Sequence, residues 1–163
     1  MALQGRSRSG LLAHRVGVGL LALFVLAGLS GYLGVKSGTA RASSGGIELE
    51  VRYGRVSRAG LATPLEIDVR RDGGFAGPVT LALDPEYFEM FDLNGIYPSP
   101  KSERFEDDRL LWEFEAPAGD ELRVHLDARI SPSRSESGST TVEVLDAEGR
   151  PVVSTDVDTF IVP

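Results

Sequence analysis

IELEVRY, residues 47–53, alternates apolar and charged side chains along its whole length. Because successive side chains of a β-strand point to opposite faces, its four apolar residues would share one face and its three charged residues the other. The stretch therefore predicts a strand with one face in a core and the other in water.

The same two-residue period recurs in six later stretches, which are PLEIDVRR (64–71), PVTLALD (78–84), RLLWEFE (109–115), ELRVHLDARI (121–130), TTVEVLD (140–146) and PVVSTDVDTFIV (151–162). Turn sequences separate several of them, such as DGGFAG, APAGD and AEGR. Apart from one possible helical turn in PEYFEMF, residues 85–91, no helical period occurs in this region. The pattern predicts an all-β fold, an antiparallel β-sandwich of about seven strands over residues 47–163.

Three stretches resemble bacterial surface domains of the immunoglobulin-like class. They are an early strand TPLEIDV (63–69), a late strand in PAGDELRV (117–124) and a closing hairpin around DAEGR (146–150). The resemblance is to an architecture and lacks the cysteine pair of antibody domains. It implies an immunoglobulin-like sandwich and a role in adhesion, spacing or partner docking, and it brings no catalytic motif.

An uncharged apolar run of twenty residues, VGVGLLALFVLAGLSGYLGV, occupies positions 16–35. As a helix it would be about 30 Å long, which matches the hydrocarbon thickness of a bilayer. Arg6, Arg8 and Arg15 precede the run, whereas Lys36 and Arg41 follow it. The positive-inside rule then predicts a cytoplasmic N-terminus, residues 1–15, and an extracytoplasmic remainder.

We expect residues 16–35 to be a signal anchor, a single transmembrane helix in the cell membrane. The small, polar segment KSGTARASSGG, residues 36–46, predicts a flexible linker between helix and domain. The alternative is a signal peptide cleaved after Ala42, because Ala40-Arg41-Ala42 fits the small-x-small pattern. Both alternatives place the domain outside the cytoplasm.

Residues 43–163 hold all 24 acidic residues of the chain but only 12 basic ones, a net charge of −12. Such a surface repels phosphate backbones, so no nucleic-acid partner is expected. The chain contains no cysteine, which excludes disulfides, thiolate metal sites and a cysteine nucleophile. The two histidines, His14 and His125, form no recognisable catalytic motif with other residues, and we expect neither a cofactor nor an enzyme.

The segment DPEYFEMFDLNGIYPSP, residues 84–100, is unusually rich in aromatic side chains for a connection between strands. One interpretation is that Phe88, Phe91 and Ile96 cap one end of the sandwich. The functional interpretation is an exposed patch that binds another envelope or membrane protein. The residues of that predicted patch are Tyr87, Phe88, Phe91 and Tyr97.

A calcium-dependent or ligand-sensing module is the alternative function, because clustered carboxylates in loops are the ligands that calcium selects. The candidate ligands are Asp84, Glu86, Asp92, Asn94, Glu106, Asp107 and Asp108. Asp92-Leu93-Asn94-Gly95 resembles the start of a calcium loop but lacks its later ligands. The leading hypothesis is therefore a membrane-anchored, non-enzymatic domain for protein interaction or envelope structure.

Overall fold

The structure, a computed structural model, describes residues 8–29, 35–133 and 136–162. It divides into two compact units, Met1–Gly34 and Val35–Pro163. The first contains helix α1 (Arg8–Leu29), whereas the second contains a short helix, α2 (Pro85–Phe88), and ten strands. The strands are β1 (Lys36–Ser44), β2 (Ile47–Arg58), β3 (Ala62–Arg71), β4 (Val79–Leu83), β5 (Phe91–Tyr97), β6 (Ser102–Glu106), β7 (Arg109–Phe114), β8 (Glu121–Ile130), β9 (Gly138–Leu145) and β10 (Pro151–Val162).

Helix α1 is 22 residues long, which corresponds to about 33 Å at the usual rise. Its segment Leu12–Leu29 has a mean hydropathy of 1.9 and is long and apolar enough to cross a membrane. The same properties suit a signal sequence. The helix begins earlier than the predicted 16–35, and Val35 is not helical. Residues 1–7 and 30–34, parts of the predicted N-terminus and span, lie outside the described residues.

The ten strands form one continuous sheet in the order β5-β8-β3-β2-β10-β9-β4-β7-β6, with β1 paired to β2. The order has two halves, β5-β8-β3-β2 and β10-β9-β4-β7-β6. Inward-facing apolar side chains from both halves belong to a single buried cluster, so the sheet curls around one core. The prediction of about seven strands in a sandwich is therefore corrected to ten strands in a curled sheet.

Strand β10 explains why the sheet is continuous. Along Pro151–Thr159 it pairs antiparallel with β9, and at Phe160–Val162 it pairs parallel with Val56–Arg58 of β2. Its last residues thus change partner from one half of the sheet to the other. This parallel contact departs from the all-antiparallel prediction, whereas the other strand pairs among the described residues are antiparallel.

The predicted flexible linker at residues 36–46 is wrong, because most of it forms strand β1. Lys36–Ser44 pairs antiparallel with β2 from Val56 back to Ile47, and Gly45 and Gly46 form the turn. Small side chains let β1 lie close to the core: Ala40 and Ala42 pack against it. A Cβ atom on Gly38 would lie 3.0 Å from Tyr53 Cζ, so the close approach favours glycine there.

Candidate functional site

The predicted aromatic patch is mostly core. Tyr87, Phe88 and Phe91 are 2%, 8% and 7% exposed, so they are not available to a partner at the surface. The Tyr87 ring centroid lies 5.5 Å from that of Phe88 and 5.2 Å from that of Phe91, and Phe88 lies 5.3 Å from Trp112. These edge-on contacts close one end of the core, as the capping interpretation expected for Phe88 and Phe91.

Hydrogen bonds fix this segment to β9 and β10. The Asp84 N–H donates to Thr140 Oγ1 at 3.0 Å, and the Thr141 N–H donates to Asp84 Oδ2 at 3.0 Å. The hydroxyl oxygens of Tyr87 and Thr159 are 2.7 Å apart. Asp84, a calcium candidate in the sequence, thus accepts a backbone hydrogen bond that positions α2 against the sheet.

The buried hydroxyl of Tyr87 predicts a pH-dependent stability. Burial raises the pKa of Tyr87 from 10.0 to about 12, and the hydrogen bond with Thr159 opposes that shift. Between these values the unfolded tyrosine loses its proton while the native one keeps it. The contribution of Tyr87 to the free energy of unfolding is therefore fully present below about pH 10. As the pH rises from about 10 to about 12, this contribution falls by up to about 1.4 kcal/mol per pH unit.

Denaturant unfolding of the wild-type chain and Tyr87→Phe at about pH 9 and about pH 11.5 measures this effect. We expect the wild type to lose more stability than the variant over that interval. Equal losses in the two proteins would show that Tyr87 does not titrate as a buried group.

Tyr97 is the member of the predicted patch that stays at the surface, with 62% of it exposed. It lies on β5 opposite His125 of β8. A Cβ atom on Gly95 would lie 3.0 Å from the Tyr97 ring, so the aromatic side chain covers that glycine. One exposed tyrosine remains from the four residues predicted to bind a partner.

The calcium candidates do not assemble into one site. Asp92 lies 3.5 Å from the Arg129 guanidinium, and Glu86 is on α2. Asp107 and Asp108 form the turn between β6 and β7, with φ angles of 50° and 59°. Within the described ranges, no group of three or more acidic or histidine side chains is placed to hold a metal ion. Asn94 lies at the irregular pairing between Leu93 and Gly95 in β5.

Charged side chains on the outer face of β1, β2, β3 and β8 form cross-strand pairs. Arg41 Nε lies 2.9 Å from Glu50 Oε2, and Arg123 Nε lies 2.7 Å from Asp68 Oδ1. The hydrogen bond from Arg41 lowers the pKa of Glu50, whose carboxylate is at the surface. These pairs lie across neighbouring strands at the surface, where each contributes little to stability.

His125 belongs to the same outer face. Its Nδ1 atom lies 3.4 Å from Glu66 Oε1, and Glu66 Oε2 lies 3.6 Å from Arg52. Its side chain is 53% exposed, and Tyr97 is its neighbour on β5. This environment is that of a surface strand histidine, as its position in the polar phase of ELRVHLDARI predicts.

Sequence reasoning missed the opposite end of the sheet, where strand β6 (SERFE) lies. Phe105 on this strand is 64% exposed, and four of the five residues of β6 are exposed. A surface cleft of about 650 Å³ lies on the outer face of the sheet over β4, β7 and β6, and its lining includes Arg104 and Glu106 of β6 together with Leu111, Glu113 and Leu145. The sequence of β6 is too short for its alternation to be recognised as a strand. The one sequence feature that could have indicated an exposed site here is Phe105, which stands alone among charged residues.

Comparisons with known proteins leave the family open. No protein-family profile matches the chain, and no curated protein sequence is significantly similar to it. Among solved structures, a non-cellulosomal cohesin from the hyperthermophilic archaeon Archaeoglobus fulgidus is similar over 78% of this chain and 92% of its own, at 13% identity and a TM-score of 0.38. A similarity this low carries no inference about this chain.

Proposed function

We propose that this chain is a single-pass membrane protein whose β-domain lies outside the cytoplasm and acts as a non-enzymatic interaction or structural module of the cell envelope. The helix α1 would remain as a signal anchor. The observation that carries the proposal is strand β1, because it links the fate of the helix to the folding of the domain.

Strand β1 supports anchoring over cleavage after Ala42. Such a cleavage would remove seven of its nine residues, 36–42. With them would go most of the hydrogen-bonded ladder to β2 and the core contacts of Ala40 and Ala42. If the domain needs these residues to fold, cleavage after Ala42 would destabilise it, and a retained helix is the alternative that keeps strand β1 whole.

Charge supports the proposed orientation. Three arginines precede the apolar run, and all 24 acidic residues follow it. Arginine-rich flanks stay on the cytoplasmic side during insertion. The acidic domain would then face the outside, where its net charge keeps it soluble and away from anionic lipid surfaces.

The non-enzymatic part of the proposal rests on how the reactive side-chain types are used. His125 is a surface residue beside Glu66, and Asp84 accepts a backbone N–H from Thr141. Catalysis needs a nucleophile or acid-base pair and an orienting group together in a water-excluding pocket. Several carboxylates on the strand faces, Glu50, Asp68 and Glu121 among them, are instead paired with arginines of neighbouring strands.

Single-cysteine labelling tests the topology directly, since the chain has no cysteine of its own. Ser154→Cys lies on the exposed outer face of β10, and Ser7→Cys lies in the N-terminal segment. We expect a membrane-impermeant maleimide to label Ser154→Cys in cells with an opened outer envelope and an intact cytoplasmic membrane. Ser7→Cys should react only after that membrane is permeabilised.

The reverse labelling pattern, or labelling of neither site before permeabilisation, would overturn the proposed topology. Detection of the Ser7→Cys chain in the membrane fraction at the full-length mass provides the control for cleavage.

A further inference from the structure

Strand β6 ends the sheet at the side opposite to β5. It pairs antiparallel with β7, with Ser102 opposite Glu113 at one end and Glu106 opposite Arg109 at the other. In the part of the chain that the structure describes, no strand pairs with its other backbone edge. Asp107 and Asp108 both have positive φ angles, as a two-residue type I′ hairpin turn requires. An open edge of this kind presents N–H and C=O groups that can pair with another extended segment.

Strand β5, at the other end of the strand order, is protected in a way that β6 is not. Its pairing with β8 is irregular between Leu93 and Gly95, which is the position of a β-bulge. Bulges twist an edge away from a regular incoming strand. Strand β6 has no such irregularity in its five pairs with β7.

The side chains on and next to β6 favour a basic partner. Residues 101–109 hold four acidic and three basic side chains. Two of the basic side chains already face carboxylates of other strands, and one of them, Arg109, lies 2.8 Å from Glu143. The other, Arg104, lies 3.6 Å from Glu113. Phe105 adds an exposed aromatic ring between these charges. A segment that alternates lysine or arginine with apolar residues would match both features.

The exposed side chains of β6 leave space on both faces of the sheet for alternate side chains of such a segment. Arg104 and Glu106 point to the outer face of the sheet, where the cleft has Leu111 and Leu145 in its lining. Phe105 lies on the other face, opposite Leu110. An added strand, about 4.8 Å beyond β6 on the side away from β7, would therefore place one set of side chains beside Arg104 and Glu106 on the outer face and the other set beside Phe105.

We propose that the free edge of β6 binds an extended basic–apolar peptide segment of a partner protein by β-strand addition. This inference rests on the proposed interaction function and names the surface that performs it. A second copy of this chain is a poor occupant, because antiparallel pairing of two β6 strands centred on Arg104 would place Arg104 opposite Arg104, and parallel pairing would bring the two acidic turns together.

A labelled peptide that alternates lysine and valine, with both ends blocked, serves as the probe for the full-length chain in neutral detergent. Fluorescence anisotropy should show saturable binding. Glu103→Lys combined with Glu106→Lys should weaken it by about tenfold or more, because attraction becomes repulsion. The matched control, Glu48→Lys with Asp127→Lys, makes the same charge change on the outer face of β2 and β8 and should leave binding nearly unchanged.

The same peptide with methylated backbone nitrogens keeps its charge but cannot add to a sheet edge, so its binding should be lost. Absence of binding, equal weakening by the two double variants, or retained binding of the methylated peptide would overturn the proposal. None of these outcomes depends on where the domain lies, so they are distinguishable from a failure of the cysteine-labelling test.

Discussion

Phe88→Ala is expected to lower the free energy of unfolding by about 3–5 kcal/mol, the range for deleting a buried aromatic ring. Phe88 is 8% exposed and packs edge-on against Trp112 and Tyr87. Removing the ring leaves a cavity at the end of the core, since α2 is held in place by hydrogen bonds to Thr140 and Thr141. Denaturant unfolding followed by tryptophan fluorescence measures the loss.

Tyr97→Ala is the matched control, because Tyr97 comes from the same aromatic segment but is 62% exposed. We expect this change to cost less than about 1 kcal/mol, as is usual at the surface. Equal free energies of unfolding for the two variants would show that Phe88 is not buried in the core. Loss of partner capture by Phe88→Ala at unchanged stability would show that the segment is an exposed patch.

Most of the strands could be predicted from the sequence because their alternation is strong. The bounds of ELRVHLDARI and PVVSTDVDTFIV coincide with β8 and β10. Strand β1 was missed because its inward residues are glycine and alanine, which give no hydrophobic period. They are small for a tertiary reason, the close approach of β1 to Tyr53, which no local pattern contains.

The aromatic segment shows why burial could not be predicted from the same kind of pattern. Residues 84–100 contain many aromatic side chains, but whether they face the core depends on partners far away in the chain. Tyr87 finds its hydroxyl partner 72 residues later, at Thr159. The edge strand β6 depends on the same kind of information, because only the order of the sheet shows that, among the described residues, no strand pairs with its outer side.

Loss of residues 35–42 is expected to destabilise the β-domain by at least about 3 kcal/mol, a large part of the 5–15 kcal/mol that typically stabilises a domain. Each ladder hydrogen bond contributes about 0.5–1.5 kcal/mol net, and several join β1 to β2. Removal also uncovers the core beneath Ala40 and Ala42. The Arg41–Glu50 ion pair is a minor part of this effect because both side chains are at the surface.

Comparison of two soluble fragments, 35–163 and 43–163, tests most directly whether β1 is an integral part of the domain that the helix precedes. The second fragment is the product that cleavage after Ala42 would leave, and Arg41→Ala in the longer fragment separates the ion pair from the strand. Denaturant unfolding should show a cooperative, stable 35–163, a nearly unchanged Arg41→Ala variant, and a 43–163 fragment that is strongly destabilised or unfolded. Equal unfolding midpoints for the two fragments would contradict this account.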